Sequence, residues 1–208
     1  MMGRALMLAM AIATALPGCA WAHSVSSPAV SSVTITRSRH SGFGGPFSLI
    51  DQDGRALSSA DFRGTTMLIY FGYTNCADAC PLDTQAMSIV VDALDRRGIA
   101  VAPLFITVDP ARDTPGRLKE FLAPFGSRII GLTGAIDTVA KVTTAYGASG
   151  EDDQGKLKPD GGYDVSHAAI AYLMGRNGEF LDVISLRDQP DAVAARITDL
   201  IAEADQRR

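Results

Sequence analysis

The sequence has 208 residues, of which 47% are hydrophobic and 20% charged, and its formal net charge is -4. This composition is typical of a globular protein and excludes a collagen-like, coiled-coil or wholly disordered chain. A mildly acidic chain also lacks the basic surface that nucleic-acid binding requires, so no nucleic-acid partner is expected. The sequence contains three cysteines and three histidines. Three cysteines are too few for a disulfide scaffold, and an odd number leaves at least one without a partner in the chain.

The N-terminal segment, 1–22, has the pattern of a secretory signal peptide. Arg4 is followed by an apolar run from Ala5 to Leu16, and small residues then form a cleavage site that ends at Ala22. We therefore predict export to the bacterial periplasm as a soluble protein. A lipobox ending at Cys19, through which the protein would be lipid-anchored, is the alternative; it is less favoured because Pro17 is unusual there.

Residues 23–45 are rich in serine and glycine and are predicted to be a flexible tether. His23 and His40 lie in this tether, where a histidine side chain is normally solvated. The pattern changes at Pro46, and residues 46–208 are predicted to form the folded domain.

The folded domain shows strands that alternate with helices. The elements predicted in chain order are a strand at Phe47–Ile50, a turn at Asp51–Gly54, a helical turn at Ser58–Phe62, a buried strand at Thr65–Tyr73, a helix at Pro81–Arg97, a buried strand at Val101–Val108, a helix from Pro115, a strand at 128–132, a helix at Asp137–Tyr146, an exposed loop at 147–162, a hairpin of 168–174 and 179–185, and a helix at 191–204. This order indicates an α/β fold with a central mixed sheet and helices on both faces.

Capping residues and apolar spacing predict the helix ends and the buried face of the first helix. Thr114 and Asp137 are predicted N-caps of their helices. The helix at Pro81–Arg97 is predicted to pack through the apolar residues that recur at helical spacing, which are Leu82, Ala86, Ile89, Val90, Ala93 and Leu94.

Cys76 and Cys80 lie where a predicted buried strand ends and a helix begins. If Pro81 is the first helical residue, Cys80 is the N-cap, and the unpaired N–H groups of the helix face both sulfurs and stabilise thiolates. A purely structural disulfide is disfavoured, because closing so short a ring removes little entropy from the unfolded chain. The cysteine spacing by itself leaves both a redox role and a metal role open.

His167 favours the metal role. It precedes the predicted strand at 168–174, and a loop that enters a neighbouring strand can face the turn that carries the cysteines. Two thiolates and one imidazole suit Cu(I), and with a further ligand they can also hold Cu(II). Structural zinc normally has four protein ligands, and no fourth candidate is apparent. Cys76, Cys80 and His167 are therefore a candidate set of metal ligands with the chemistry that copper prefers.

Three segments together carry a resemblance to a known family. They are Phe71–Pro81 (FGYTNCADACP), Val108–Pro115 (VDPARDTP) and Ser166–Gly178. These motifs and the order in which they occur resemble the Sco/SenC family, and the resemblance extends from about Pro46 to Ile184. The resemblance implies a thioredoxin-like fold and a role in assembling the dinuclear copper site of cytochrome c oxidase. It also implies Cys76, Cys80 and His167 as the copper ligands. The implied partners are the copper-receiving subunit of the oxidase and, in addition, a copper donor or a thiol reductant.

The chain departs from the family pattern near the predicted site. Ser166 stands where many members have Asp, which bears on the groups that orient His167. Ala77 stands where Pro is frequent, so the cysteine loop is expected to be less rigid. Asp78 and the Asp109–Pro110 turn match family positions near the site.

Two functional hypotheses share the same sulfurs. The first is a metallochaperone that binds copper and delivers it to the oxidase. The second is a thiol-disulfide oxidoreductase that uses Cys76 and Cys80 to keep partner cysteines reduced. Thioredoxin-type reductases place a proline in the loop that faces their cysteines, and 166–168 contains none. The sequence thus favours copper binding, and enzymatic activity remains the alternative.

Overall fold

The central sheet is built from strands that alternate with helices along the chain. The computed structural model describes residues 43–148 and 170–207, which lie within the unit Arg39–Arg208. Its strands are β1 (Ser48–Asp51), β2 (Ala56–Ser58), β3 (Thr66–Gly72), β4 (Val101–Thr107), β5 (Ile130–Thr133), β6 (Ala171–Met174) and β7 (Phe180–Ile184). Its α-helices are α1 (Ala79–Asp95), α2 (Pro115–Leu122), α3 (Ile136–Ala145) and α4 (Pro190–Gln206), and short 3-10 helices lie at Ser59–Phe62 and Ala123–Phe125.

The strands form one seven-stranded mixed sheet in the order β2-β1-β5-β4-β3-β6-β7. β3 and β5 both pair with β4 in parallel, and the other neighbours pair antiparallel. The predicted mixed sheet is confirmed. Because β3 and β4 are parallel and central, the loops that follow them meet at the same edge of the sheet.

Both faces of the sheet are covered. Every residue of β3 is buried, and its side chains alternate between two apolar clusters. Leu68 and Tyr70 pack in the cluster that contains residues of α1, α2 and α4. Ile69 and Phe71 pack in the opposite cluster, which contains residues of α3. The predicted burial of this strand on both faces is confirmed, and Tyr70 lies on the α1 side.

Local signals predicted some element ends correctly and missed others. Thr114 caps α2, and its side chain accepts the Arg117 N–H at 3.2 Å. Asp137 is not a cap: α3 begins after Ala135, and Asp137 lies in the first turn. An acidic residue in the first turn is stabilised by the helix dipole, so it resembles a cap in sequence. β2 was not predicted, because it is short and depends on pairing with β1.

The buried face of α1 differs from the predicted one. Leu82 is 70% exposed and Ile89 is 41% exposed, so their predicted burial is wrong. The buried face instead includes two polar residues, Asp83 and Thr84. The Thr84 hydroxyl donates to the Cys80 carbonyl at 2.6 Å, and the Asp83 carboxylate accepts a hydrogen bond from the buried Tyr70 hydroxyl at 3.0 Å. Polar residues that are satisfied inside the fold cannot be distinguished from surface residues by apolar spacing.

Several predicted segments lie largely outside the described residues, among them 1–22, most of 23–45 and most of 147–162. Within 43–148 and 170–207, the helices are too short or too polar to cross a bilayer.

Candidate functional site

The two cysteines lie at the carboxyl end of β3. Cys76 is in the loop before α1, and Cys80 is the second residue of α1, because this helix begins at Ala79 with Asp78 as its N-cap. The prediction that Cys80 is the N-cap is therefore wrong. Pro81 falls within the first turn, where its missing N–H costs no helical hydrogen bond, so the helix can begin before it.

Cys76 is half-buried, and its sulfur receives a hydrogen bond from the start of α1. The Cys80 N–H donates to the Cys76 sulfur at 3.2 Å. This N–H belongs to the first turn, whose donors have no partner within the helix. The predicted interaction between the helix start and a sulfur is confirmed for Cys76.

Cys80 has a different environment, since its side chain is 0% exposed. Burial raises the pKa of the Cys80 thiol to about 12, although a backbone hydrogen bond from Tyr73 and the Tyr70 hydroxyl act in the opposite direction. The prediction that the helix start makes both sulfurs thiolates is wrong for Cys80. The loss of hydration on burial outweighs the field of the helix end.

The two sulfurs are neighbours. Both cysteines are free thiols, and their side chains are hydrogen-bonded to each other. Such a pair can bind one soft metal ion through both sulfurs or lose two electrons to form a disulfide. The half-buried Cys76 is the sulfur that a partner molecule can reach.

A buried carboxylate ties the loop after β4 to the base of the cysteine loop. Asp113 is fully buried. It accepts hydrogen bonds from the Thr74 N–H at 3.0 Å, from the Thr74 hydroxyl at 2.6 Å and from the Thr107 hydroxyl at 2.6 Å. Thr74 comes two residues before Cys76. The start of the cysteine loop is therefore anchored to β4.

The Asp109–Pro110 turn adds further contacts between the loop after β4 and the start of the cysteine loop. The Asp109 N–H donates to the Thr107 hydroxyl at 2.9 Å. The Asp109 carboxylate forms an ion pair with Arg112, whose guanidinium lies 5.8 Å from the centre of the Tyr73 ring. This interaction extends the contact between the two loops to Tyr73. The expectation that this turn lies near the cysteines is confirmed.

A second buried carboxylate, which the sequence reasoning missed, lies beneath Cys80. Asp83 accepts the hydroxyl hydrogen of Tyr70 at 3.0 Å and pairs with Arg187, with 3.4 Å between the guanidinium nitrogen and the carboxylate. Asp83 and Tyr70 are both buried, and the Tyr70 hydroxyl is also hydrogen-bonded to the Cys80 side chain. The sequence signal was an acidic residue three positions after Cys80 on the same helix, next to the predicted apolar face.

The remaining predicted ligand, His167, lies outside the described residues, as do Cys19, His23 and His40. The structure thus brings Cys76 and Cys80 together and does not describe His167. In the described parts of the chain, no group of three or more His, Cys, Asp or Glu side chains is arranged to hold a metal ion.

Comparison with known sequences gives one family. The SCO1/SenC family model matches residues 35–202. An SCO2-like protein of Rickettsia felis is 38% identical over 155 residues, which cover 72% of this chain and 73% of that protein. The human mitochondrial protein SCO1 homolog is 38% identical over 169 residues, which cover 77% of this chain and 54% of the human protein. The chain thus spans about half the length of its human relative.

Comparison with solved structures agrees. ScoI of Bradyrhizobium japonicum, solved with copper bound, is 38% identical and superposes with a TM-score of 0.68 over 76% of this chain and 99% of that one. Yeast Sco1 with copper bound is 35% identical and gives a TM-score of 0.70 over 76% of this chain and 87% of that one. The thioredoxin-like fold class is confirmed. The chain belongs to the SCO1/SenC family.

Proposed function

We propose that this protein is a copper chaperone that binds copper through Cys76, Cys80 and His167 and delivers it to the copper-receiving subunit of cytochrome c oxidase. The observation that carries the proposal is the pair of adjacent free thiols at the start of α1. Support comes from two relatives whose structures hold copper, at 38% and 35% identity.

The sulfur environments suit a soft cation. Two thiolates and an imidazole match the preference of Cu(I), and a further ligand would accommodate Cu(II). Cys80 must lose its proton to bind, and the positive charge of the metal offsets the cost of a thiolate in apolar surroundings. His167 completes the ligand set in this proposal.

The difference in exposure between the sulfurs suggests how copper leaves. Cys76 is half-buried, whereas Cys80 is fully buried. Incoming ligands from an acceptor protein reach the metal from the Cys76 side, and Cys80 is the last ligand to be displaced. A copper donor or a thiol reductant that loads or reduces the site would use the same face.

Copper titration of the reduced chain tests the ligand set. The full chain carrying Cys19→Ser, so that Cys76 and Cys80 are its only cysteines, is titrated with Cu(I) against a competing chelator. Near-stoichiometric binding is expected for the parent and at least tenfold weaker binding for His167→Ala. The matched control is His40→Ala, which removes an imidazole from the predicted tether and is expected to bind as the parent does. Equal affinity for the parent and His167→Ala contradicts the three-ligand proposal.

A second function, thiol-disulfide exchange, is favoured by the accessible sulfur of Cys76 next to Cys80. In this reaction the Cys76 thiolate attacks a partner disulfide and forms a mixed disulfide with it. The Cys80 sulfur then attacks the Cys76 sulfur, which forms the Cys76–Cys80 bond and releases the partner in its dithiol form. The partner gains two electrons and two protons, and the Cys76–Cys80 disulfide forms. His167 plays no part, so His167→Ala is expected to reduce a disulfide substrate at the parental rate. Loss of this activity in His167→Ala contradicts the mechanism.

The proposed site of action is the bacterial periplasm, reached after cleavage at Ala22. Trp21 is the chain's single tryptophan, so a protein processed after Ala22 has no indole absorbance. Retention of Trp21 in the exported protein, together with a lipid-modified Cys19, would instead indicate a lipoprotein.

A further inference from the structure

A groove lies beside the cysteine loop, between the first turns of α1 and the loop that follows β7. Its volume is about 530 Å³, and it is lined by Asp78, by Ala79, Leu82 and Ala86 of α1, and by Leu186 and Arg187 after β7. Two of these residues, Asp78 and Ala79, lie between Cys76 and Cys80 in the chain. The groove is therefore continuous with the proposed copper site.

One side of the groove carries an exposed apolar side chain. Leu82 is 70% exposed, the largest fraction among the exposed large hydrophobic residues that the structure describes. A single exposed leucine is ordinary on a protein surface, but this one borders a groove next to the proposed metal site. Burying a leucine side chain is favourable by about 1.5–3 kcal/mol. Most of that free energy is still available to a molecule that covers Leu82.

The opposite side of the groove is held in place by an ion pair. The Arg187 guanidinium nitrogen lies 3.4 Å from a carboxylate oxygen of Asp83. Asp83 is 2% exposed and also accepts the Tyr70 hydroxyl hydrogen at 3.0 Å. Arg187 is thus tied to the core at its charged end, and its methylene stem lines the groove. A groove that is formed before binding lowers the entropy lost when a partner docks.

The charges of the groove favour a basic partner. Among the described residues that line it, the charged ones are Asp78, Asp83 and Arg187. The Asp83 and Arg187 charges offset each other as an ion pair, whereas Asp78 is exposed. Asp188, which follows Arg187, is exposed as well. A cationic side chain on a partner is therefore attracted to the rim of the groove.

The position of the groove matches the area that a copper acceptor has to cover. Transfer by ligand exchange requires an acceptor ligand to reach the metal on Cys76. A specific protein–protein interface covers about 800 Å² on each partner, so it extends roughly 16 Å from its centre. Ala86 comes six residues after Cys80 on α1, which is an axial distance of about 9 Å. The groove thus lies within the area that an acceptor of ordinary size covers.

We propose that this groove is the docking surface for the copper acceptor, which packs an apolar side chain against Leu82 and places a basic side chain near Asp78. The inference rests on the proposed function, because it assigns where the acceptor of that copper binds. During transfer Cu(I) exchanges its ligands and keeps its oxidation state.

Transfer of Cu(I) to two acceptors of different size tests the inference. The full chain carrying Cys19→Ser is loaded with Cu(I) and mixed, without oxygen, with the copper-free oxidase subunit or with the small chelator bathocuproine disulfonate. We expect Leu82→Ser to slow transfer to the subunit by about tenfold and to leave transfer to the chelator within about twofold of the parent. Unchanged transfer to the subunit overturns the inference. Equal slowing with both acceptors also overturns it, because Leu82 would then act on the metal site itself.

The matched control is Ile136→Ser. Ile136 is 62% exposed and is the first residue of α3, which follows β5. In the sheet, β5 and β7 lie on opposite sides of β3. Ile136→Ser is expected to transfer copper to the subunit within about twofold of the parental rate. Slowing as large as that of Leu82→Ser overturns the inference, because the acceptor would not be confined to the side of the groove.

Substitutions of opposite charge at Leu82 test the chemistry of the partner. Leu82→Lys and Leu82→Glu both remove the apolar contact, but a basic side chain on the partner repels only the lysine. We expect transfer to the subunit to be about threefold slower for Leu82→Lys than for Leu82→Glu. The difference should shrink as the salt concentration rises. Equal rates or the reverse order overturn the assignment of a basic partner.

Two further outcomes separate this inference from its alternatives. A copper-free parent that sediments as a dimer, with Leu82→Ser as a monomer, overturns the inference because a second copy of this chain would occupy the groove. A parent that transfers no copper to the subunit contradicts the proposed function, and the inference fails with it. If the parent and Leu82→Ser transfer copper equally well, the chaperone function stands and only the docking surface is wrong.

Discussion

The loops that follow β3 and β4 begin at the same edge of the sheet but are held very differently. After β4, the fully buried Asp113 accepts three hydrogen bonds, two from Thr74 and one from Thr107. After β3, the cysteine loop is held by the Cys76 N–H on the Tyr73 carbonyl at 3.3 Å and by the Cys80 N–H on the Cys76 sulfur at 3.2 Å. Within the cysteine loop, 75, 77 and 78 are exposed.

This difference shows that the β4 loop has a supporting role, whereas the cysteine loop presents the thiol groups. A disulfide requires a sulfur–sulfur distance of about 2.05 Å, whereas two thiolates on one metal ion lie farther apart. A loop that serves both states must change the separation of its sulfurs. The β4 loop anchors Thr74 with charge-assisted bonds, so the base of the cysteine loop is held by contacts that involve neither sulfur.

For the two loops and the buried sulfur, the largest expected effect comes from removing the Asp113 anchor. Asp113→Ala leaves the Thr74 N–H and two hydroxyls without their buried acceptor, so we expect a loss of about 3 kcal/mol in the free energy of unfolding. Urea denaturation under reducing conditions measures it. Asp92→Ala, at an exposed position of α1, is the control and is expected to change stability by less than about 0.5 kcal/mol. A cost below about 1 kcal/mol for Asp113→Ala would show that the β4 loop is no firmer than the cysteine loop.

A smaller change in the free energy of unfolding is expected when pH rises, because the Cys80 thiol is buried. Burial raises the pKa of Cys80 from an ordinary value of 9.0 to about 12. Between these values the folded protein keeps a proton that the unfolded chain releases, so rising pH favours unfolding. Between pH 8.5 and pH 10, we expect Cys80 to lower the free energy of unfolding by roughly 1 kcal/mol.

The comparison with Cys80→Ala isolates this contribution, since both proteins share every other titrating group. Urea denaturation of the two reduced proteins at each pH should give a shallower decline for Cys80→Ala. Parallel declines would mean that the Cys80 thiol is not held in its neutral form by the fold.

The smallest effect is expected from truncating Leu82, in the exposed first turn of α1, and the buried Leu94 serves as its comparison. Leu82 is 70% exposed, whereas Leu94 on the same helix is fully buried. Leu94→Ala is expected to cost about 3 kcal/mol because it leaves a cavity, and Leu82→Ala less than about 0.5 kcal/mol. Denaturation of the two variants measures the contrast. A cost for Leu82→Ala close to that for Leu94→Ala would show that the helix next to the cysteine loop is as tightly packed as its far end.

Sequence reasoning succeeded where the signal is local. The continuous apolar run of β3 predicted a strand buried on both faces, and Thr114 before Pro115 predicted the start of α2. The hairpin turn was also predicted, and Gly178 adopts the positive φ of 83° that this turn requires. Cys76 and Cys80 were correctly assigned to the junction of β3 and α1.

It failed where burial depends on distant partners. Cys80 was predicted as an N-cap with a stabilised thiolate, but α1 begins earlier and buries this sulfur. Leu82 and Ile89 were predicted to face the core, while Asp83 in fact does. Apolar spacing cannot detect a buried carboxylate, because its burial becomes favourable only when Tyr70 and Arg187 supply hydrogen bonds.

The sequence by itself predicted which groups carry the chemistry, and it determined the order of strand, cysteine pair and helix around Cys76 and Cys80. These features depend on neighbouring residues, whose spacing is visible in the chain. Only the tertiary structure decided that one sulfur is accessible and the other buried, and which carboxylates support them. Asp113 is 39 positions from Thr74, and Arg187 is 104 positions from Asp83. Such partners meet only after the sheet has formed, because packing on its faces brings distant segments together and removes them from water.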